Sequence, residues 1–232
     1  VLLADNVSAY RLELIPEQVE DIDLALKQLG AFINITPDDL KRFKRARNNS
    51  RRFLPITVKL RLDEQEVARF SINRHRFPGV EVVPYLNRRY LYNDLFAHVI
   101  GYVARLDAED LKAMGDERYS VLSHTGKTGI ERAYEEQLRG TIGYEEVETN
   151  ARGRSLGVLK RHVSQAGTDL RLSLDLALQQ ATVEAFGTMT GSAVAVDPNT
   201  GEVLAMVSLP SFDTNLFING ISTVDYKALS TD

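Results

Sequence analysis

The sequence contains no cysteine and no tryptophan in its 232 residues. Without cysteine, the chain cannot form disulfide bonds, cysteine-ligated zinc sites, iron–sulfur clusters or a thiol nucleophile. It also has no run of 18 consecutive apolar residues, so no membrane-spanning helix is predicted within it. The missing disulfides do not identify a compartment, because proteins of oxidising compartments can fold without them.

Excess charge of one sign is also nearly absent. The 28 basic and 32 acidic residues give a net charge of −4, which disfavours a general nucleic-acid-binding role. With 44% apolar and 26% charged residues, the composition is that of a globular protein.

One segment departs from this balance of charge: residues 41–52 contain seven basic side chains in twelve. This run indicates contact with anionic lipid or an acidic partner, or else a solvated helix face.

Strand and helix patterns both occur along the chain, and the architecture is expected to be α+β. Two helix starts are marked by capping residues, Thr36 before Pro37 and Asp63 with Glu66. A helix is also predicted from Gly126 to Gly140, and a strand is predicted through Leu170, Leu172 and Leu174.

A hairpin is predicted near the end of the sequence, with strands 192–196 and 202–207 around an Asp-Pro-Asn-Thr-Gly turn. Its strands are almost wholly apolar, so both faces should be covered in a complete sheet. Few elements follow it. We therefore expect an incomplete domain beginning near residue 168, with 193–196 and 204–207 partly uncovered.

Six segments, in order along almost the whole chain, resemble the class B penicillin-binding proteins of the rod-shape branch. They are 1–6 (VLLADN), 73–80 (NRHRFPGV), 98–103 (HVIGYV), 126–134 (GKTGIERAY), 143–154 (GYEEVETNARGR) and 191–222, which contains the hairpin. The resemblance implies an elongated, non-catalytic pedestal of the dimerisation type over 1–168, with a head subdomain inserted at about 15–90. An incomplete α/β transpeptidase domain would follow over 169–232.

The resemblance also implies a function for the intact protein, namely D,D-transpeptidation of peptidoglycan stem peptides during cell elongation, with β-lactams as inhibitors. It implies a SEDS-family glycosyltransferase and a rod-shape scaffold protein as partners. The implied location is the periplasmic side of the bacterial inner membrane, with an anchor upstream of Val1. The alternative is a purely regulatory interaction module without catalytic activity.

No catalytic residue is assigned, because the family's Ser-x-x-Lys motif does not occur in this sequence. The triplet Lys127-Thr128-Gly129 copies another family motif, but it precedes the predicted transpeptidase region and is expected to open a helix. Tyr90 is followed by Leu91 where the family usually has proline. The histidines are scattered singly, so neither a metal nor a cofactor is predicted.

Two sets of candidate site residues follow from the resemblance. The first is an interdomain motif, whose members are Gly126, Lys127, Thr128, Gly129, Glu131, Glu148, Asn150, Arg152 and Gly153. Its turn at 150–153 is either a hinge between the pedestal and the transpeptidase domain or a turn whose polar groups are fully hydrogen-bonded. The second is a candidate partner surface on the head, formed by Arg74, Arg76, Phe77, Pro78 and Val80.

Overall fold

The computed structural model describes residues 1–106, 110, 124–141, 143–150 and 155–230. The chain divides into two compact units, one of Asn6–Asn87 and one of Val1–Asp5 with Arg88–Asp232. We call Asn6–Asn87 the head and the other unit the base. The predicted boundaries, a head at about 15–90 and two domains meeting at 168, stay predictions.

The head is built on a three-stranded sheet in the order β2-β1-β3, in which β1 and β2 are antiparallel. The strands are β1 (Ala4–Leu14), β2 (Ile56–Leu62) and β3 (Val80–Tyr90). The helices are α1 (Ile22–Leu29), α2 (Pro37–Asn49) and α3 (Glu64–Asn73), with short 3-10 turns at Pro16–Gln18 and Arg74–Arg76.

Local capping starts two of these helices, as the sequence predicted. The Thr36 hydroxyl accepts from the Asp39 N–H, and the Asp39 carboxylate accepts from the Thr36 N–H. Asp63 and Glu66 form the same reciprocal pair at the start of α3. Each cap satisfies amide groups that have no partner inside the helix, which contributes about 1 kcal/mol.

The apolar faces of the head's helices meet the sheet in one core. Its members include Leu12 and Leu14 of β1, Phe43 of α2 and Phe70 of α3, all at most 1% exposed. Burial of each such side chain stabilises the head by about 1.5–3 kcal/mol.

The base contains short paired strands and short helices. Its strands pair antiparallel as β4 (Val103–Arg105) with β5 (His124–Gly126), β6 (Tyr144–Thr149) with β7 (Ser155–His162), and β8 (Gly191–Val196) with β9 (Val203–Leu209). Its helices are α4 (Ala97–Ile100), α5 (Gly129–Ala133), α6 (Glu135–Arg139), α7 (Leu176–Phe186) and α8 (Thr223–Ser230), with a 3-10 turn at Thr214–Leu216.

The start of β1 and the end of β3 belong to the base, and contacts there join the two chain segments that lead into and out of the head. The Arg89 guanidinium pairs with the Asp5 carboxylate at 2.5 Å, and the Leu91 N–H donates to the Leu3 carbonyl at 3.0 Å. The hydrogen bond from Arg89 holds the pKa of Asp5 below its usual value. The head thus begins and ends at neighbouring residues.

The mixed helix and strand composition confirms the α+β prediction. Two local predictions are wrong. Gly126 ends strand β5 rather than opening a helix, and the predicted helix is divided at Tyr134 into α5 and α6. The alternating segment 170–174 belongs to no strand ladder among the described residues. Its alternation corresponds only to leucines of intermediate exposure between exposed polar residues.

The predicted hairpin is present as β8 and β9. Ala205 and Val207 of β9 are buried, whereas Val194, Val196 and Met206 are each about half exposed. The expectation of partly uncovered apolar strands is therefore confirmed. Across the described ranges, no helix combines the length and apolar character that a bilayer span requires.

Candidate functional site

The interdomain motif centres on a buried ion pair in the base. The Arg88 Nε donates to Glu131 Oε1 at 2.8 Å, and the Glu131 side chain is only 4% exposed. Tyr90 lies beside this pair, and its hydroxyl accepts a hydrogen bond from the Val103 N–H at 2.8 Å. Burial, and next the negative charge of Glu131, raise the pKa of Tyr90 far above its usual value, so the phenol stays neutral. Glu131 therefore connects α5 to the end of β3 through a carboxylate that is itself almost fully buried.

Two glycines of the motif permit backbone contacts that no other residue would allow. A Cβ on Gly126 would lie 2.1 Å from the Glu131 carbonyl oxygen. Gly129 has φ +59°, and a Cβ there would lie 2.5 Å from the Val99 carbonyl oxygen. The spacing of glycines in this motif thus reflects close packing of α5 on β5 and α4.

The lysine and threonine of the Lys-Thr-Gly triplet have structural contacts. The Lys127 ammonium pairs with the Asp110 carboxylate, and the Lys127 N–H donates to the Tyr102 carbonyl at 2.9 Å. Thr128 precedes the first residue of α5 in extended conformation. The triplet therefore joins a strand to a helix inside the base.

The second half of the motif lies on the hairpin of β6 and β7. Glu148 is exposed on β6, and Asn150 follows that strand directly. Arg152 and Gly153 lie outside the described residues. Antiparallel pairing of β6 with β7 holds the hairpin, and the exposed Glu145–Arg161 pair joins the two strands at 2.5 Å. Glu148 and Asn150 lie on or next to β6, whereas Glu131 lies on α5. The hinge role of the turn stays a prediction.

Two side-chain amides, which sequence reasoning missed, join the 176–216 region to residues 90–95. Gln179 of α7 is fully buried. Its Nε2 donates to the Leu95 and Met206 carbonyls, and its Oε1 accepts from the Met206 N–H, each at 2.9 Å. Gln179 thus satisfies both backbone groups of Met206 on the edge of β9 that faces away from β8.

Asn215 acts in the same way on Tyr90. Its Oδ1 accepts from the Tyr90 N–H and its Nδ2 donates to the Tyr90 carbonyl, both at 3.0 Å. Thr214 and Ser211 add hydrogen bonds to the carbonyls of Asn93 and Asp94. We call these contacts, from Gln179, Ser211, Thr214 and Asn215 to residues 90–95 and to Met206, the junction.

Aromatic packing extends the junction to the turn after α4. Tyr102 stacks on Phe217 with centroids 4.3 Å apart, and His98 meets Phe212 edge-on at 5.3 Å. Such pairs contribute about 0.5–1.5 kcal/mol beyond their burial. The segment 211–218 is therefore fixed on 90–102 by both polar and aromatic contacts.

Helical periodicity is the signal that would have found Gln179. Leu176, Gln179, Val183 and Phe186 follow one another at spacings of three and four, so a polar residue occupies a position on the inward face. A polar side chain there is expected to be buried and hydrogen-bonded. Asn215 has no comparable signal, because it lies in an irregular segment.

The candidate partner surface is only partly exposed. Phe77 and Val80 are 3% and 2% exposed and belong to the head's core, which corrects their assignment to a surface. Their apolar side chains are buried against α3 and the sheet. Arg74, Arg76 and Pro78 are exposed, so the surface is reduced to these three residues, and its binding role stays a prediction.

A cleft of about 830 Å³ lies beside the Arg88–Glu131 pair in the base. Leu170, Leu172 and Leu174 contribute apolar lining. No serine, lysine, cysteine or histidine is among the described residues that line it, and its charged lining includes Glu131, Asp169 and Asp175. In the part of the chain that the structure describes, no three His, Cys, Asp or Glu side chains are grouped to hold a metal ion.

Comparison with known proteins gives two family matches. Residues 1–172 match the model described as Penicillin-binding Protein dimerisation domain, and residues 191–231 match Penicillin binding protein transpeptidase domain. The junction joins residues from both matched regions.

Relatives match over nearly the whole chain. The chain is 44% identical to Peptidoglycan D,D-transpeptidase MrdA of Escherichia coli K12 over 99% of its length and 37% of that protein. It is 40% identical to MrdA of Haemophilus influenzae over 100% of its length and 36% of that protein. The chain thus spans a little over a third of the curated relatives that it matches.

A solved structure gives the same fold. The complex between Penicillin-Binding Protein (PBP2) and MreC from Helicobacter pylori matches with a TM-score of 0.79 and 28% identity, over 100% of this chain and 43% of that one.

Proposed function

The chain belongs to the penicillin-binding proteins, in the penicillin-binding protein 2 group, and from this we propose that its parent protein is a serine-type peptidoglycan D,D-transpeptidase of cell elongation. The observation that carries the proposal is the 44% identity to Escherichia coli MrdA over 99% of the chain. The order of the matched regions, dimerisation domain and then transpeptidase domain, supports it.

The chain itself serves as the non-catalytic support of that enzyme. Acyl transfer to a D-Ala-D-Ala stem peptide, or to a β-lactam that mimics it, needs an activated serine and an oxyanion hole. The sequence has no Ser-x-x-Lys motif. The lysine of its Lys-Thr-Gly triplet forms an ion pair with Asp110 in the base. Its contribution is to hold the first transpeptidase elements through the junction, whose buried amides allow few alternative arrangements.

The support also carries a surface for elongation partners. The Helicobacter pylori protein of similar fold forms a complex with MreC, which supports a rod-shape scaffold protein as a partner of this chain. A SEDS-family glycosyltransferase is a second partner that we propose. The parent protein would then act on the periplasmic face of the inner membrane, held by an anchor upstream of Val1.

Covalent labelling with a fluorescent penicillin tests the enzyme proposal. Two proteins are compared, the 232-residue chain and a longer form that continues through the whole transpeptidase domain. The longer form should be labelled and the 232-residue chain should not, with intact masses recorded for both. A longer form that is folded by circular dichroism but takes up no label would contradict the proposal.

The alternative, an interaction module without catalysis, has its own measurement. The 232-residue chain should bind the scaffold protein saturably at tens of micromolar or below. The double variant Arg74→Ala/Arg76→Ala should lose that binding, while Lys27→Ala, an exposed change elsewhere on the head, should keep it. If the chain does not bind at these concentrations, the interaction-module alternative is wrong. If both variants lose binding equally, the proposed surface is wrong.

A further inference from the structure

Helix α2 and the turn after it present a row of cationic side chains to solvent. Helical spacing places Lys41 and Arg45 on the side opposite the buried Phe43, and the exposed Lys44 lies about 100° around the helix from Phe43. Arg51 and Arg52 follow the helix and are also exposed. We call Lys41, Lys44, Arg45, Arg51 and Arg52 the basic row.

Most of this charge is not paired with an acidic side chain in the part of the chain that the structure describes. Within the described ranges, the ion pairs of α2 are Lys41 with Asp38 and Arg42 with Asp39. Lys44, Arg45, Arg51 and Arg52 form no ion pair there. Because Lys41 lies three and four residues before Lys44 and Arg45, the helix also places like charges side by side, which disfavours its folding. Folding of the head therefore does not account for the row.

The charge is localised rather than general. Residues 6–87 contain 14 basic and 11 acidic side chains, whereas the whole chain has a net charge of −4. Seven of those 14 basic residues lie within 41–52. An anionic molecule approaching the chain is consequently attracted to this segment in particular.

We propose that the basic row is a docking surface for an acidic protein segment lying along α2. Three observations favour this occupant over a lipid surface. The apolar side of α2 is committed to the head's core through Phe43, which is 0% exposed, so the helix has no apolar face to place among acyl chains.

The dimensions and chemistry of the row are the second and third observations. It is narrow, and its helical part, 41–49, spans roughly 12 Å at helical rise, which suits one helix or strand of a partner rather than a plane of headgroups. Three of its five members are arginines, whose planar guanidinium groups bind carboxylates through two parallel hydrogen bonds. The proposal is independent of the transpeptidase activity.

The test is fluorescence anisotropy with the 232-residue chain and a labelled 12-residue peptide of alternating glutamate and alanine. Binding should saturate at low salt and weaken at 300 mM NaCl, as expected for exposed charges. The triple variant Lys44→Gln/Arg45→Gln/Arg51→Gln should bind about eightfold more weakly, because each exposed ion pair contributes a factor of about two.

A matched control and a competing surface make the result decisive. Lys27→Gln/Arg61→Gln/Arg69→Gln removes the same charge from exposed positions elsewhere on the head and should change the affinity less than twofold. Equal weakening in the two triple variants, or no binding of the peptide, would overturn the proposal. Sedimentation with vesicles containing 30% anionic lipid tests the competing surface. The proposal would also be overturned if these vesicles bound the chain, lost that binding in the triple variant of the basic row, and the peptide did not bind.

Discussion

Replacement of the buried glutamine in α7 tests the reasoning about the junction most directly. Gln179→Leu keeps a similar volume but removes three hydrogen bonds, two to carbonyls and one from the Met206 N–H. A typical hydrogen bond contributes about 1 kcal/mol net, and a buried donor without a partner costs about 1–3 kcal/mol. We therefore expect the free energy of unfolding of the base to fall by about 3 kcal/mol.

The neighbouring residue supplies the control for this prediction. Gln180 is exposed, so Gln180→Leu should change the free energy of unfolding by less than about 0.5 kcal/mol. Urea unfolding followed by far-UV circular dichroism and by tyrosine fluorescence measures both variants. Hydrogen exchange adds a local measurement, because the Met206 amide should exchange faster in Gln179→Leu only. If the two variants unfold within 0.5 kcal/mol of each other, the role assigned to Gln179 is wrong.

Two further predictions concern Gly129 of the interdomain motif and Glu135, the carboxylate that accepts from the Gly126 N–H. Gly129→Ala should destabilise the chain by about 2–4 kcal/mol in thermal unfolding, because of its positive φ and the close Val99 carbonyl, whereas Gly157→Ala, with no atom within 4 Å, should be near neutral. Burial raises the pKa of Glu135 despite the hydrogen bond it accepts from the Gly126 N–H. Its contribution to stability is therefore complete below the unfolded pKa of about 4.3 and is lost as the pH rises through the folded pKa. Glu135→Gln should accordingly gain stability relative to the wild type between pH 4 and pH 7 in urea titrations, and a constant difference would argue against a buried carboxylate.

Features set by neighbouring residues were predictable from the sequence. The caps at Thr36 and Asp63 and the hairpin of β8 and β9 depend on spacings of a few residues, and the structure has them where the patterns indicate. Phe77 and Val80 show the limit of such reasoning, since both lie in a segment that resembles a known family, yet resemblance does not reveal which side of the chain faces the core.

Features that depend on distant residues were not predictable. Gly126 ends a strand because β5 pairs with β4 and because the Glu131 backbone passes within van der Waals distance of it. The contact of Asn215 with Tyr90 joins residues 125 positions apart, and an asparagine in an irregular segment carries no mark of its partner. A single sequence shows residue types along the chain, whereas the junction is defined by backbone groups that come together only on folding.

The tie between residues 3–5 and 89–91 has a consequence for how the head can vary. It closes a loop made of the whole of Asn6–Asn87, which is synthesised completely before its closing residues exist. The entropy of closing such a loop rises only with the logarithm of its length, so doubling the loop adds about 0.6 kcal/mol. Insertions within the head therefore cost little stability when the contacts between 3–5 and 89–91 are kept. The same base is thus compatible with heads of different sizes and binding preferences in related proteins.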